Sequence, residues 1–250
     1  MHFVIFGSNS YVANAIVPIL LSRGHKITSV GRSHHKLIEE RFSFEELHLI
    51  GVSSSSLILY LILDYSNIRS PSKFQIDNIK LLERVLVSPF SGPRFVVLGS
   101  DSAKELSKSS YGLFKYHQSV RIRELGLSEI KIGWLEDFST RPNMTGKILK
   151  LVGFFPINSL PRFKTKEIHR TQPLSLVREL EKLGSLNKPI YANLYDEKIS
   201  IHSFVYGDKR TLEIAFVRSS SRLLLHILYR MRYILPIGIA RAIDSARSLL

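Results

Sequence analysis

Blocks of apolar and mixed residues alternate along the first half of the chain. His2 to Phe6 is a short apolar run that ends in Gly7-Ser8-Asn9-Ser10. From Tyr11 to Ser22, apolar residues recur at Val12, Ala15, Ile16, Ile19 and Leu20, the spacing of one helix face. Gly24 stands where a helix end favours glycine. Ile27 to Val30 then reads as a second strand. Strand, glycine turn, helix and strand are the opening of a parallel nucleotide-binding sheet. Leu57 to Leu63, Phe95 to Leu98 and Ile130 to Trp134 read as further buried strands, with helix-like Lys73 to Leu86 and Tyr111 to Leu125 between them. Strands alternating with helices predict a doubly wound, Rossmann-like α/β fold with a parallel sheet.

After about residue 140 the pattern is broken by Pro142, Gly146, Gly153, Pro156 and Pro161. Leu174 to Leu183 is helix-like and Pro189 to Asn193 strand-like. The expected organisation is a nucleotide-binding domain over residues 1–204, with substrate-site segments at about 134–177. A small, largely helical C-terminal portion follows over 205–250 and completes the substrate region. Within it, residues 218–235 are amphipathic. Leu223, Leu224, Ile227, Leu228, Met231, Ile234 and Leu235 fall on one arc, and Arg218, Arg222, His226, Tyr229, Arg230 and Tyr233 on the other. Such a helix packs on the domain or on a partner, or lies on a membrane surface. Arg230 and Arg232 in mid-run argue against a span.

Composition narrows the chemistry. Cysteine is absent from the 250 residues, so disulfides and thiolate metal sites are excluded, and no metal centre is expected. The N-terminus reads as a strand entering a glycine turn rather than as a secretory leader. A formal net charge of +14 points to anionic partners. No nucleic-acid motif accompanies it, and nucleic acid is not an expected partner.

Gly7, Ser10 and Ala13 carry the spacing of the phosphate-binding fingerprint, although only its first glycine is kept. A helix starting directly after a strand aims free N–H groups and the positive end of its dipole at the turn, where a pyrophosphate binds. The plainer alternative is that Gly7 only permits a tight bend. The second strand ends Ser29-Val30-Gly31-Arg32-Ser33. An acidic residue at this tip would bond a ribose 2′-hydroxyl, whereas arginine pairs with a 2′-phosphate. Arg32 and Ser33 therefore favour NADP(H) over NAD, unless the tip is merely a solvated basic loop.

Tyr111 and Lys115 stand four apart at the start of a predicted helix, on one face. A free phenol titrates near 10 and is a poor acid or base at neutral pH. A neighbouring ammonium stabilises the phenolate and corrects this. Ser100 follows the strand Phe95 to Leu98, at the strand end where open α/β sheets bind ligands. It is the candidate hydroxyl, with Ser102 its rival. Tyr116 lacks a lysine four residues on, and His117 reads as a helix-surface residue.

In these segments the chain resembles the short-chain dehydrogenase/reductase superfamily, in its extended sugar-nucleotide branch. Ile5-Phe6-Gly7-Ser8-Asn9-Ser10-Tyr11-Val12-Ala13 is similar to that branch's glycine motif, Val97 to Asp101 to its serine-bearing strand, and Tyr111-Gly112-Leu113-Phe114-Lys115 to its Tyr-Lys motif. Leu57 to Leu63 resembles the strand running beside the cofactor, and Asn78 sits where the family often has an asparagine. Lys131 to Glu136 resembles a segment of dTDP-4-dehydrorhamnose reductases that lies near nicotinamide and substrate. Gln172 to Val177 resembles a segment framing the sugar-nucleotide site. The likeness covers about residues 1–200. Departures are the two missing turn glycines and the spacing of eleven between Ser100 and Tyr111, where sugar-nucleotide members often have a longer loop.

The resemblance implies a catalytic set of Ser100, Tyr111 and Lys115. It implies cofactor contacts from Gly7, Ser8, Asn9, Ser10, Tyr11, Val12, Leu61, Ile62, Leu63, Asn78, Lys115 and Trp134, beside Arg32 and Ser33. The implied activity is NADP(H)-dependent reduction of a nucleotide-linked keto-sugar for surface-polysaccharide precursors. Alternatives are an epimerase with tightly bound NAD(P), a membrane-associated enzyme on a lipid-linked sugar, and a non-catalytic NADP-binding protein. A homodimer through the helices Lys73 to Leu86 and Tyr111 to Leu125 is implied. So is a cytoplasmic location, with peripheral contact at the inner membrane surface through about 218–235 left open.

Overall fold

The computed structural model describes residues 1–53, 55–86, 90, 92, 94–107, 109–135, 167–184 and 188–200. The expected helical portion 205–250, with its amphipathic stretch 218–235, lies outside them.

Seven strands form one parallel sheet in the order β3-β2-β1-β4-β5-β6-β9. They are β1 (His2–Phe6), β2 (Lys26–Val30), β3 (Glu40–Phe42), β4 (Ser56–Tyr60), β5 (Phe95–Ser100), β6 (Ser128–Ile132) and β9 (Tyr191–Leu194). The chain winds outward from β1 in one direction and returns to β4 to wind in the other, so the order reverses between β1 and β4. The crevice beyond the carboxyl ends of these two strands is where such sheets take a ligand. A small second sheet joins β7 (Trp134–Leu135), β8 (Glu167–Thr171) and β10 (Glu197–Ser200), with β8 at its centre.

Both faces of the large sheet are covered, which is why its central strands β1, β4 and β5 are nearly continuous apolar runs rather than alternating. Phe3, Ile5, Leu57, Leu59, Val96, Leu98 and Ile130 pack under α1 (Tyr11–Ser22) and α4 (Pro173–Leu183). Val4, Phe6, Ile58, Tyr60, Phe95 and Val97 pack under α2 (Pro71–Leu86) and α3 (Ser110–Glu124). Tyr60 is buried here with a hydroxyl that has no hydrogen-bond partner among the described residues, and burial pushes its phenol well above the usual tyrosine range.

Two expected strands end sooner than the apolar pattern suggests. Leu57 to Leu63 leaves the sheet after Tyr60, because β1 stops at Phe6 and Leu61 N makes the last bond to Phe6 O. Ile130 to Trp134 is divided at Gly133, where β6 ends and β7 turns into the second sheet. Helix α1 occupies the predicted residues, and Gly24, at φ +76°, follows its C-cap Arg23.

Candidate active site

The glycine turn is built from the ends of β1 and α1. Gly7 has φ +83°, and a Cβ there would lie 3.0 Å from Ile62 Cγ1 and 3.2 Å from the Leu61 carbonyl carbon. The turn and the segment after β4 therefore approach as closely as two backbones can, and Leu61 and Ile62 form one wall of the crevice. Ser10 is the N-cap of α1, its Oγ accepting from Ala13 N. Tyr11 donates its hydroxyl to Leu135 O at 3.0 Å, tying the first turn of α1 to β7. Ser8 is fully buried, with Oγ 2.5 Å from Ser29 Oγ and accepting from His35 N at 3.1 Å. Its side chain braces the turn against β2, so only its backbone is left for a phosphate. Asn9 is exposed, and Val12 is half-buried against the α1 core.

At the tip of β2, Arg32 and Ser33 are exposed. Arg32 makes no ion pair or hydrogen bond among the described residues, so its guanidinium is free to take an anion. Neighbouring His34 bonds Ser29 Oγ through Nδ1 at 2.6 Å, and burial, then the Arg41 charge, lowers its pKa.

Asn78 is buried and saturated by backbone. Its Oδ1 accepts from Asp64 N at 2.7 Å, and its Nδ2 donates to Asp64 O and Phe74 O. Asn78 thereby fixes the segment after β4 at Asp64.

Lys115 and Tyr111 share one face of α3, and both ends of this pair are fixed to the segment around Ser100. Lys115 Nζ donates to Leu98 O at 2.9 Å and to Gln118 Oε1 at 2.8 Å. The residue is half-buried, but its ammonium is enclosed beneath β5, and burial lowers its pKa to about 8 against the opposing pull of Glu129. Gly112, next to Tyr111, packs so closely on Ser102 O and the Ser107 side chain that a Cβ has no room. The first turn of α3 therefore presses on the loop directly after β5, with Ser109 capping it through a 2.9 Å bond from Gly112 N. Tyr111 is half-buried in that turn. Ser100 and Ser102 share a hydrogen bond at 2.8 Å between their hydroxyls, so the two candidates form one unit. Trp134 lies half-buried in β7 opposite Arg170.

Several participants were not singled out from sequence. Glu129 is a buried carboxylate on β6 that accepts from Ser119 Oγ and faces Gly99, where only a missing side chain leaves space for it. Its burial was not readable, because β6 reads Ser-Glu-Ile-Lys-Ile and the expected strand begins only at Ile130. Gln118 gave no signal either. Among the described residues no group of three or more His, Asp or Glu side chains could hold a metal ion.

No protein-family profile and no curated protein sequence matches the chain. Solved structures do. A UDP-N-acetylglucosamine 4-epimerase from Bacillus cereus superposes over 82% of this chain and 79% of its own, with TM-score 0.57 and 12% identity. A UDP-glucose 4-epimerase from Thermotoga maritima, solved with UDP-glucose, superposes over 89% and 88%, with TM-score 0.56 and 15% identity. A human epimerase family protein, solved with NADPH, superposes over 83% and 79%, with TM-score 0.57 and 14% identity. The chain shares the Rossmann-like α/β fold of these structures. Its seven-stranded parallel sheet agrees with the doubly wound sheet expected from the sequence. Among the described residues no helix is long and apolar enough to cross a membrane.

Proposed function

We propose that the chain is an NADP(H)-dependent oxidoreductase acting on a nucleotide-linked sugar, with reduction of a keto carbon as its reaction. The observation that carries this reading is the anchoring of Tyr111 and Lys115 to the segment 98–102, through Lys115 to Leu98 O and through Gly112 on Ser102. Ser100 closes β5, at the carboxyl end of the sheet where such folds take a ligand. Structural neighbours acting on sugar nucleotides, one of them solved with UDP-glucose, support the substrate class.

The chain's own residues suit a dinucleotide. Gly7 permits the tight turn against Leu61 and Ile62, the N–H groups at the start of α1 suit a pyrophosphate, and Arg32 is an exposed cation, unpaired among the described residues, where a 2′-phosphate would sit. A nicotinamide cofactor held by these residues would supply the hydride for the reduction. Ser100, supported by Ser102, donates a hydrogen bond to the carbonyl oxygen. Tyr111 gives that oxygen its phenolic proton as the hydroxyl forms. The ammonium of Lys115 stabilises the phenolate left behind, which is then reprotonated from solvent. A tyrosine without this cation would be too weak an acid at neutral pH.

An epimerase would use the same residues, so the products decide. NADPH oxidation should be followed against a panel of 4-keto and parent nucleotide sugars, with nucleotide bound to the purified protein identified by mass spectrometry. Stoichiometric NADPH loss with a keto-sugar supports the reductase. Interconversion without net NADPH loss shifts the assignment to an epimerase. NADPH binding without turnover of any sugar would leave a cofactor-binding protein and reject both. The proposed partner besides substrate is a second copy docking on α2 and α3, whose exposed Ile76 and Val120 lack cover.

A further inference from the structure

Beside the Ser100 segment stands a group of side chains that the chemistry above does not use. Asp101 follows Ser100 directly, and its backbone N–H bonds Ile132 O at the end of β6. His169, on β8, holds Nδ1 3.0 Å from Asp101 Oδ2, a close ion-pair distance but without the alignment of a hydrogen bond. The ring of Tyr195, just after β9, stacks on His169 with centroids 4.1 Å apart and planes 7° from parallel. Burial, then the charge of Asp101 and a hydrogen bond to it, pushes the Tyr195 phenol up to about 12, so its hydroxyl stays protonated toward the carboxylate. Gly133 lies directly on the backbone and Cβ of His169, with no room for a side chain of its own. Three strand ends, β5, β6 and β9, and the cross-strand β8 thus converge on one imidazole at the carboxyl edge of the sheet.

The two ring nitrogens differ. Nδ1 is enclosed. Nε2 is not enclosed and has no hydrogen-bond partner among the described residues, in a side chain that keeps 25% of its exposure. A carboxylate at Nδ1 selects the tautomer protonated there and leaves Nε2 as an acceptor. The misaligned Asp101 contact is of the kind that tightens when a ligand arrives.

We propose that Asp101, His169 and Tyr195 form a sugar-binding subsite in which Nε2 of His169 accepts a hydrogen bond from a hydroxyl of the substrate's sugar. The inference rests on the nucleotide-sugar reading above and deepens it. Asp101 fixes the imidazole tautomer, Tyr195 fixes its plane, and Gly133 lets the ring come close to the strand ends.

Calorimetry on the NADPH-saturated full chain, with UDP and UDP-glucose as probes, tests it in four forms: wild type, H169F, H169N and H169Q. Glutamine places a polar atom near Nε2, whereas asparagine places one near Nδ1. The subsite predicts that H169F and H169N weaken UDP-glucose about tenfold, one lost hydrogen bond with its partner left bare. H169Q retains most of the affinity, and UDP binds all four alike. Retention in H169N with loss in H169Q would show that His169 only braces Asp101 and would overturn the proposal. So would equal weakening of UDP, or wild type binding UDP-glucose no better than UDP. The last result would leave the Tyr111 chemistry standing. Failure of wild type to bind NADPH would defeat both readings.

Discussion

The ammonium of Lys115 donates to the carbonyl oxygen of Leu98 at 2.9 Å, two residues before Ser100. This bond ties the middle of α3 to the strand that delivers the candidate hydroxyl, and it places a cation where burial works against its charge. Lysine ordinarily titrates at 10.5, but here burial lowers the value to about 8, with Glu129 opposing.

A pH dependence follows, with a definite sign. Above about pH 8 the folded protein loses the charge that stabilises the Tyr111 phenolate. kcat/KM for carbonyl reduction should fall along that limb, and K115M should be nearly inactive at every pH. Stability runs the other way. Between about 8 and 10.5 the unfolded chain binds the proton that the folded chain has released. Folding stability from this group therefore rises with pH through that window, and below it the whole burial penalty is felt. Denaturant melts at pH 7 and pH 9.5 should show a smaller pH difference in K115M than in wild type.

The hydroxyls of Ser100 and Ser102 are partners at 2.8 Å, so their roles separate only by kinetics. Loss of the donor at the carbonyl oxygen lowers kcat by about 100- to 1,000-fold. S100A should show a loss of this size in single-turnover assays with NADPH affinity unchanged. S102A, acting through Ser100, should lose about tenfold or less, consistent with one neutral hydrogen bond. A reversed order would make Ser102 the contacting group.

Arg32 sets cofactor choice in this account. R32E should weaken NADPH by more than about tenfold, the scale of a charge-assisted pair, and leave NADH no worse. Fluorescence titration with both cofactors checks this. Equal weakening of the two would mean that the tip of β2 does not read the 2′-phosphate.

Gly7 adopts φ +83° with Ile62 Cγ1 3.0 Å from the position of a Cβ. G7A should lower folding stability by about 1–3 kcal/mol from the left-handed backbone alone, and should also weaken NADPH. A destabilised variant with intact cofactor affinity would indicate that the turn is structural only.

Much of this architecture was readable because parallel strands covered on both faces are apolar without interruption, as in Phe3 to Phe6 and Phe95 to Leu98. Helix α1 carried its own end signal in Gly24, which follows the C-cap at φ +76°. Strand β3 was not readable, since Glu40-Arg41-Phe42 lies at the sheet edge and has no apolar pattern. Nor were β8 and β10, where Glu167, Arg170, Glu197 and Lys198 face solvent or each other in a three-stranded sheet. The Tyr-Lys pair and Ser100 were visible through spacing and chain order. The buried direction of Ser8 and the bracing role of Asn78 were not, because each depends on a partner far along the chain, Ser29 and Asp64. The subsite of Asp101, His169 and Tyr195 is likewise assembled only by the fold.

The most direct measurement is the rate of hydride transfer from NADPH to a 4-keto nucleotide sugar in Y111F, at cofactor saturation and beside wild type. Removing one oxygen atom from residue 111 should reduce the single-turnover rate by at least about 100-fold, the lower range for a lost general acid, with the NADPH dissociation constant within about twofold. A Y111F protein that transfers hydride at the wild-type rate would contradict the account at its centre.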